Sequence, residues 1–300
     1  MNVLVIGASG FVGGAIARHL AARGAAVTGL ARSAAATPRL TGPGLTPLIA
    51  DLDDHRDRVL AAATCSDVVV FAAQPEPHVE KRIVAELLDA LAGSGAALLF
   101  VSGSGVLLQR TGGAWSEDCY GEDDPFVVEP LAVHRLAAED AVRAGASRGI
   151  RTVVIRPGLI WGPDDHGHVS LIYRSVAATG AACYVGEGLN TYSHVHISDV
   201  CELVERALER APAGGLYHAV AGEIPNRWIA QAVAADLGCA VRSLDPTEAA
   251  EVWGEFDALI LGASSRIRAP RSRGELGWNP RHTDLLTMIG SPRLRALAGR

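Results

Sequence analysis

The residues with the clearest chemical promise lie near the N-terminus, where Gly7-Ala8-Ser9-Gly10-Phe11-Val12-Gly13 forms a G-x-x-G-x-x-G. They follow an aliphatic run at residues 3–6 and open a stretch, 11–23, whose apolar residues recur at helical spacing and stop at Gly24, so the glycines stand at a strand-to-helix turn. Glycine there permits a tight turn and lets backbone amides approach a pyrophosphate, which then rests on the positive end of the helix dipole. The pattern predicts a dinucleotide site containing Gly7, Ser9, Gly10, Phe11, Val12 and Gly13. At the end of the next apolar run, Gly29-Leu30-Ala31-Arg32-Ser33 carries no acid. A carboxylate there would receive the ribose 2′-hydroxyl, whereas Arg32 suits a 2′-phosphate, so NADP(H) is favoured and NAD(H) is the alternative.

Metal chemistry has weaker support. His166-Gly167-His168 and His194-Val195-His196 are i, i+2 pairs with Asp164 and Asp165 beside the first, yet histidines at such spacing are more often solvated or hydrogen-bonded than ligands, and no metal is expected. The five cysteines, Cys65, Cys119, Cys183, Cys201 and Cys239, are scattered without a C-x-x-C, which predicts reduced thiols rather than a disulfide framework or a zinc site.

The elements that must position these groups read as an α/β alternation. Apolar runs at residues 27–30, 46–50, 67–72, 97–102 and 151–156 predict strands, separated by helical patterns that include 79–91 and 131–144. Such alternation implies a Rossmann-type, doubly wound parallel sheet over residues 1–157, with later residues able to extend it. After Pro157 the rhythm becomes irregular, with helices near 200–210 and 228–237, and residues 158–300 are expected to form mainly a smaller substrate-binding region. The Thr-, Pro- and Gly-containing stretch 34–44 reads as a flexible surface connection.

Together these features resemble the extended short-chain dehydrogenases/reductases, also called the NAD-dependent epimerase/dehydratase family, from residue 1 to about 280. The resemblance implies that Asp51 and Leu52 contact adenine, that Phe71-Ala72-Ala73 places Ala72 and Ala73 beside the cofactor, and that the run from Arg156 to Pro163 brings the backbone of Pro157, Gly158 and Ile160 to the nicotinamide amide. Val195-His196-Ile197-Ser198-Asp199-Val200, after Gly186-Glu187-Gly188-Leu189-Asn190, is similar to another family motif. It also implies a homodimer formed through the helices at 79–91 and 131–144.

The catalytic motif departs from the family. Leu131 occupies the position of the proton-donating tyrosine, Arg135 that of the lysine four residues on, and Gly103 that of the polarising serine. Leucine has no proton to give. Arginine is still able to fork onto ribose hydroxyls, so Arg135 is expected to bind there without shuttling protons. Ser104, at the carboxyl end of a central strand, is the candidate to polarise a carbonyl, with Ser102 its neighbour. Tyr173, Tyr192 and His194, from the C-terminal region, are candidates to meet substrate or supply the missing acid. The leading expectation is an NADP(H)-dependent oxidoreductase or epimerase acting on a small hydroxyl or carbonyl compound. The alternatives are a non-redox isomerase, dehydratase or cyclase on the same fold, and a cofactor-sensing binding protein.

Composition narrows the partners. Of 300 residues, 49% are hydrophobic, ample for a sizeable core. The formal charge of -6 is spread along the chain with no basic stripe, which argues against nucleic acid. Lys81 is the only lysine. The longest apolar runs fall well short of the roughly 20 residues a membrane span needs, and the N-terminus lacks a signal-peptide pattern, so a cytoplasmic location is expected.

Overall fold

The computed structural model describes residues 1–165 and 167–300. His166, one member of the first histidine pair, lies outside the described residues. In chain order the strands are β1 (Asn2–Ile6), β2 (Ala26–Ala31), β3 (Leu45–Ile49), β4 (Val68–Phe71), β5 (Ala97–Val101), β6 (Arg151–Pro157), β7 (Leu159–Trp161), β8 (Ala181–Val185), β9 (Thr191–His196), β10 (Gly215–Ala219), β11 (Gly222–Pro225) and β12 (Ala240–Leu244). The helices are α1 (Phe11–Ala22), α2 (Arg56–Thr64), α3 (Pro77–Leu91), α4 (Val133–Ala144), α5 (His168–Thr179), α6 (Ile197–Arg210), α7 (Asn226–Leu237), α8 (Pro246–Trp253), α9 (Glu255–Gly262), α10 (Pro270–Gly274) and α11 (Pro292–Leu297).

The central strands read Asn-Val-Leu-Val-Ile in β1 and Val-Val-Val-Phe in β4, with no polar alternation. A strand apolar on both faces needs cover on both faces, and a parallel sheet between helix layers supplies it. Seven strands accordingly pair in parallel in the order β10-β6-β5-β4-β1-β2-β3. Chain order reverses between β1 and β4, and that reversal opens a crevice beyond the carboxyl ends of the strands. On one face, α3 turns Val79, Ile83, Val84, Leu87, Leu88 and Leu91 inward at intervals of three and four residues. On the other face, α6 buries Val200, Leu203, Val204 and Ala207 against the same core that α1 joins through Ile16, Ala17 and Leu20.

The smaller lobe contains a three-stranded sheet, β11-β9-β7, and a two-stranded one, β12-β8. Its core gathers Trp161, Tyr173, Val185, Ile229, Leu244 and Leu294. The chain enters this lobe after β6, returns to the main sheet with α6 and β10, then leaves again. Residues 195–220 therefore supply much of the first core, and a cut at residue 157 does not separate the two lobes.

The stretch 34–44 is more ordered than its composition predicts. Residues Ala34–Leu40 form 3-10 turns, and Leu40 is buried beneath β2, where a Cβ added to Gly29 would come within 3.1 Å of the leucine methyl. The missing side chain at Gly29 makes room for Leu40, and burying that leucine pins the connection.

Candidate active site

A cleft of about 380 Å³ opens at the chain reversal between β1 and β4. Gly7 forms its sharpest corner. Its φ is +90°, and a Cβ there would lie 2.6 Å from the Ala72 carbonyl oxygen, so no other residue fits without moving β4. Gly13 meets the turn from the helix side, where a Cβ would fall 2.3 Å from the Gly7 carbonyl oxygen. Gly10 begins α1 without any side-chain cap, which leaves first-turn amides for an anion. This turn has the shape and the donors of a pyrophosphate cradle.

Of the residues expected at the cofactor, Gly7, Ser9, Gly10, Phe11, Val12, Arg32, Leu52, Ala72, Ala73 and Ile160 line the cleft together. Arg32 is exposed at the end of β2 and forms no ion pair among the described residues. Arg39 reaches back from the following turn and donates to the Ser9 carbonyl at 3.4 Å. Gln74 and Pro75 also line the cleft. They were missed in the sequence, although their place just past β4 on the carboxyl edge was a signal for them.

Other expected residues stand elsewhere. Asp51 does not line the cleft; its carboxylate accepts from the Asp53 amide at 2.7 Å and shapes the turn after β3. Pro157 pairs with Ala219 across the sheet. Gly158 permits close packing, since a Cβ there would lie 2.2 Å from the Ser193 carbonyl oxygen. Gly13 supports the cradle from behind.

Arg135 needs the largest correction. It does not line the cleft; its guanidinium is 2.9 Å from the Glu80 carboxylate and 5.3 Å from the centroid of the Phe100 ring. Glu80 is buried, and burial pushes its carboxyl up while Arg135 pulls it down. A buried carboxylate without a cation is costly, so the arginine serves Glu80. A second buried pair lies nearby, with Arg156 Nε donating to Glu139 Oε2 at 2.8 Å while the guanidinium rests over Phe126.

The serines exchange roles. Ser102 follows β5, its amide donating to the Ile155 carbonyl at 2.8 Å, and it lines the cleft. Its Oγ is buried with no hydrogen-bond partner among the described residues. Ser104 is buried one turn further on and does not line the cleft. Its carbonyl accepts from Ser265 Oγ at 2.7 Å, and its own hydroxyl lies beside the Tyr192 phenol without a well-aligned hydrogen bond. Both hydroxyls are buried without a partner among the described residues, but only Ser102 lines the cleft, so Ser102 replaces Ser104 as the candidate to polarise a carbonyl there.

The C-terminal candidates lie away from the cleft. Tyr173 sits in the core of the small lobe, donating to Asp236 at 2.7 Å and accepting from the Gly290 amide at 2.9 Å. Tyr192 is buried, its ring edge-on to His168, and burial pushes its hydroxyl up to about 12. His194 is buried edge-on to Trp161 and is held down to about 4. His168, of the first histidine pair, is committed through Nδ1 to Asn226 at 2.9 Å. All five cysteines are unpaired. Among the described residues no group of three or more His, Cys, Asp or Glu side chains is placed to hold a metal, and no helix is long and apolar enough to cross a membrane.

A parallel sheet reversing beside an uncapped glycine turn defines a Rossmann-type protein built for a nicotinamide dinucleotide. The chain belongs to the NAD dependent epimerase/dehydratase family, which it matches over residues 3–220, and it is an NAD(P)-dependent enzyme of that family. An uncharacterized protein of Schizosaccharomyces pombe is 31% identical, the match covering 97% of this chain and 99% of the relative. A 4-hydroxy-2-methyl-3-oxo-4-farnesyl-3,4-dihydroquinoline-1-oxide ketoreductase of Stigmatella aurantiaca is 27% identical over 94% of this chain and 93% of that protein. The UDP-glucose 4-epimerase of Thermus thermophilus, solved in complex with NAD, shares the fold with a TM-score of 0.74 at 24% identity, covering 100% of this chain and 98% of the epimerase.

Proposed function

We propose that this protein is an NADP(H)-dependent oxidoreductase that reduces a small carbonyl compound, or oxidises the matching alcohol, at the cleft beyond β1, β4 and β5. The observation that carries this reading is Ser102, which lines the cleft that also holds the glycine cradle and whose hydroxyl is buried without a partner among the described residues. A buried hydroxyl left unpaired costs stability, and its retention is explained if it donates to a ligand oxygen. A nicotinamide bound in the cleft supplies or accepts the hydride.

On this reading the chain's own residues divide the work. The amides after Gly10 hold the pyrophosphate, Arg32 meets the 2′-phosphate, and Ile160 with Val101 walls off the reacting end. Ser102 Oγ donates to the carbonyl oxygen as negative charge develops there. Among the described residues none that lines the cleft carries a carboxylate, imidazole, phenol or amine, so the proton reaches the oxygen from water. The ketoreductase relative supports reduction of a ketone. The same hydride step run out and back would be an epimerisation.

The test is NADPH consumption over a panel of ketones and aldehydes, with Ser102→Ala beside the unmodified protein. Loss of one oxyanion donor should lower turnover about 10²-fold, with cofactor affinity unchanged. Turnover indifferent to Ser102→Ala would overturn the assignment, and binding without any turnover would favour a cofactor-holding protein. The reading also includes a cytoplasmic homodimer. The exposed side chains of Leu131 and Val133 at the start of α4 support a self-contact, unpaired thiols suit a reducing compartment, and sedimentation velocity tests the dimer.

A further inference from the structure

A second cavity, of about 420 Å³, lies between β7, the start of α6 and the segment that runs from residue 287 into the first turn of α11. No residue lines both it and the cofactor cleft. Ile160 faces the cleft and Trp161, the next residue of the strand, faces the cavity, as expected of side chains that alternate across a strand. Pro163, Met288 and Pro292 give it apolar walls.

Its polar side chains are Trp161, His196, Thr287, Ser291 and Arg293, and the Thr287 hydroxyl is committed to the Asp284 carbonyl at 2.8 Å. Trp161 is 5% exposed, and its indole N–H has no partner among the described residues. The His196 ring is fixed in one tautomer: Nδ1 accepts from the Ser198 amide at 3.2 Å, so the neutral ring carries its proton on Nε2. The ring is also wedged against Trp161, with centroids 4.6 Å apart, and against His282 at 4.3 Å. The buried Asp199 carboxylate holds His282 in turn, accepting from its amide at 2.9 Å. Arg293 brings a charge to the rim, but that charge faces the Asp165 carboxylate at 3.7 Å, and its Nη2 donates to the Asp165 carbonyl at 2.8 Å. The lining therefore offers two neutral N–H donors and the Ser291 hydroxyl in an apolar setting, with its one charge already matched.

We infer that this cavity is a second binding site, separate from the cofactor cleft, for an uncharged apolar molecule bearing a carbonyl oxygen that accepts from Trp161 Nε1 and His196 Nε2. The volume lies within the ~300–1,000 Å³ common for small-molecule sites, where apolar walls with a few convergent polar groups are the usual composition. A buried indole N–H normally finds a partner. A carboxylate would need a free cation, which the lining lacks. The inference stands apart from the reaction proposed above, since its ligand need not touch the cofactor.

The test follows the indole ¹⁵N–H resonances of the tryptophans during titration with acetophenone, ethylbenzene and benzoate, with and without saturating NADPH. Trp161→Phe assigns the Trp161 signal. Acetophenone should shift that signal saturably in both conditions, while ethylbenzene, lacking the acceptor, and benzoate, carrying a charge, should not. Trp161→Phe should weaken acetophenone binding about tenfold, the worth of one hydrogen bond, and leave NADPH affinity unchanged. If Trp161→Phe does not fold, Met288→Trp fills the cavity from its opposite wall and should abolish binding. No saturable shift by ~10 mM acetophenone, equal shifts with ethylbenzene or benzoate, or displacement by NADPH would each overturn the inference.

Discussion

Removing the Arg32 guanidinium should weaken NADPH binding about tenfold to a hundredfold and leave NADH binding almost unchanged. Among the described residues Arg32 is the one cation in the cleft wall, and no carboxylate pairs with it. A hydrogen bond to a charged group contributes about 1.5–3 kcal/mol, or roughly 10- to 150-fold in affinity. Because the side chain is exposed, solvent and salt screen part of this, which trims the upper end. Arg39, held to the Ser9 carbonyl from the adjoining turn, leaves a second positive charge on the same side, so Arg32→Ala should retain a small preference for NADPH. Arg32→Asp should reverse the preference, placing a carboxylate where a ribose 2′-hydroxyl donates. Fluorescence titration with both cofactors at low and high ionic strength measures each ratio, and the preference for NADPH should shrink with salt. Equal affinities in the unmodified protein, or matching losses for both cofactors in Arg32→Ala, would refute the reasoning.

Three further outcomes are expected. Gly10→Val should abolish cofactor binding while the protein still folds, since φ at Gly10 is -86° and a Cβ meets only the Gly7 carbonyl oxygen at 3.3 Å, leaving the branched side chain to obstruct the cleft; an unchanged dissociation constant in a folded variant argues against the cradle. Stability should fall on acidification, because burial holds His168, His194 and His218 at about 4 against about 6.5 in an unfolded chain. The unfolded state then binds more protons between these values, so stability is full above pH 6.5 or so and drains toward pH 4, each group removing up to ~1.4 kcal/mol per unit; identical urea midpoints at pH 7 and pH 5 would contradict this. Tyr173→Phe should lower stability by about 1 kcal/mol through loss of its bond to Asp236 without changing cofactor affinity, and weaker cofactor binding would return the tyrosine to the site.

The parts legible in the sequence were those fixed by local patterns. The glycine turn, Arg32 and the strand-end alanines Ala72 and Ala73 each follow directly from a strand, and a parallel strand ends at the ligand edge of its sheet. The misassigned residues depended on which way a side chain turns. Ser102 and Ser104 are two apart, and only the fold distinguishes the serine that lines the cleft from the one whose hydroxyl lies beside Tyr192. Arg135 gave no sign of its commitment to Glu80, 55 positions earlier, a buried acid that only tertiary packing creates. Tyr173 looked like a substrate residue because a tyrosine in a cap region is chemically ambiguous, until burial of its ring and a bond to Asp236 settled its place. The strands of the small lobe escaped notice because runs such as Thr191–His196 mix histidine and serine with apolar residues while lying buried, so they lack the alternation of a half-exposed strand.

The return of the chain to the main sheet has a consequence for how the protein is made. Strand β6 pairs with β10 from Val153↔Gly215 to Pro157↔Ala219, and α6 covers the sheet on the same face as α1. A ribosome that has released only the first 157 residues has therefore exposed a sheet with an open edge at β6 and an uncovered apolar face. Partners so far apart in sequence make closure slow, because loop entropy is lost before the contacts form. The nascent cofactor lobe must wait for some sixty more residues, about 3–12 s at ordinary synthesis rates, with Val153 and Ile155 on its unpaired edge. That interval is when this chain most needs a chaperone, and a stop or slow translation between residues 158 and 215 should send it toward aggregation rather than toward a smaller folded unit.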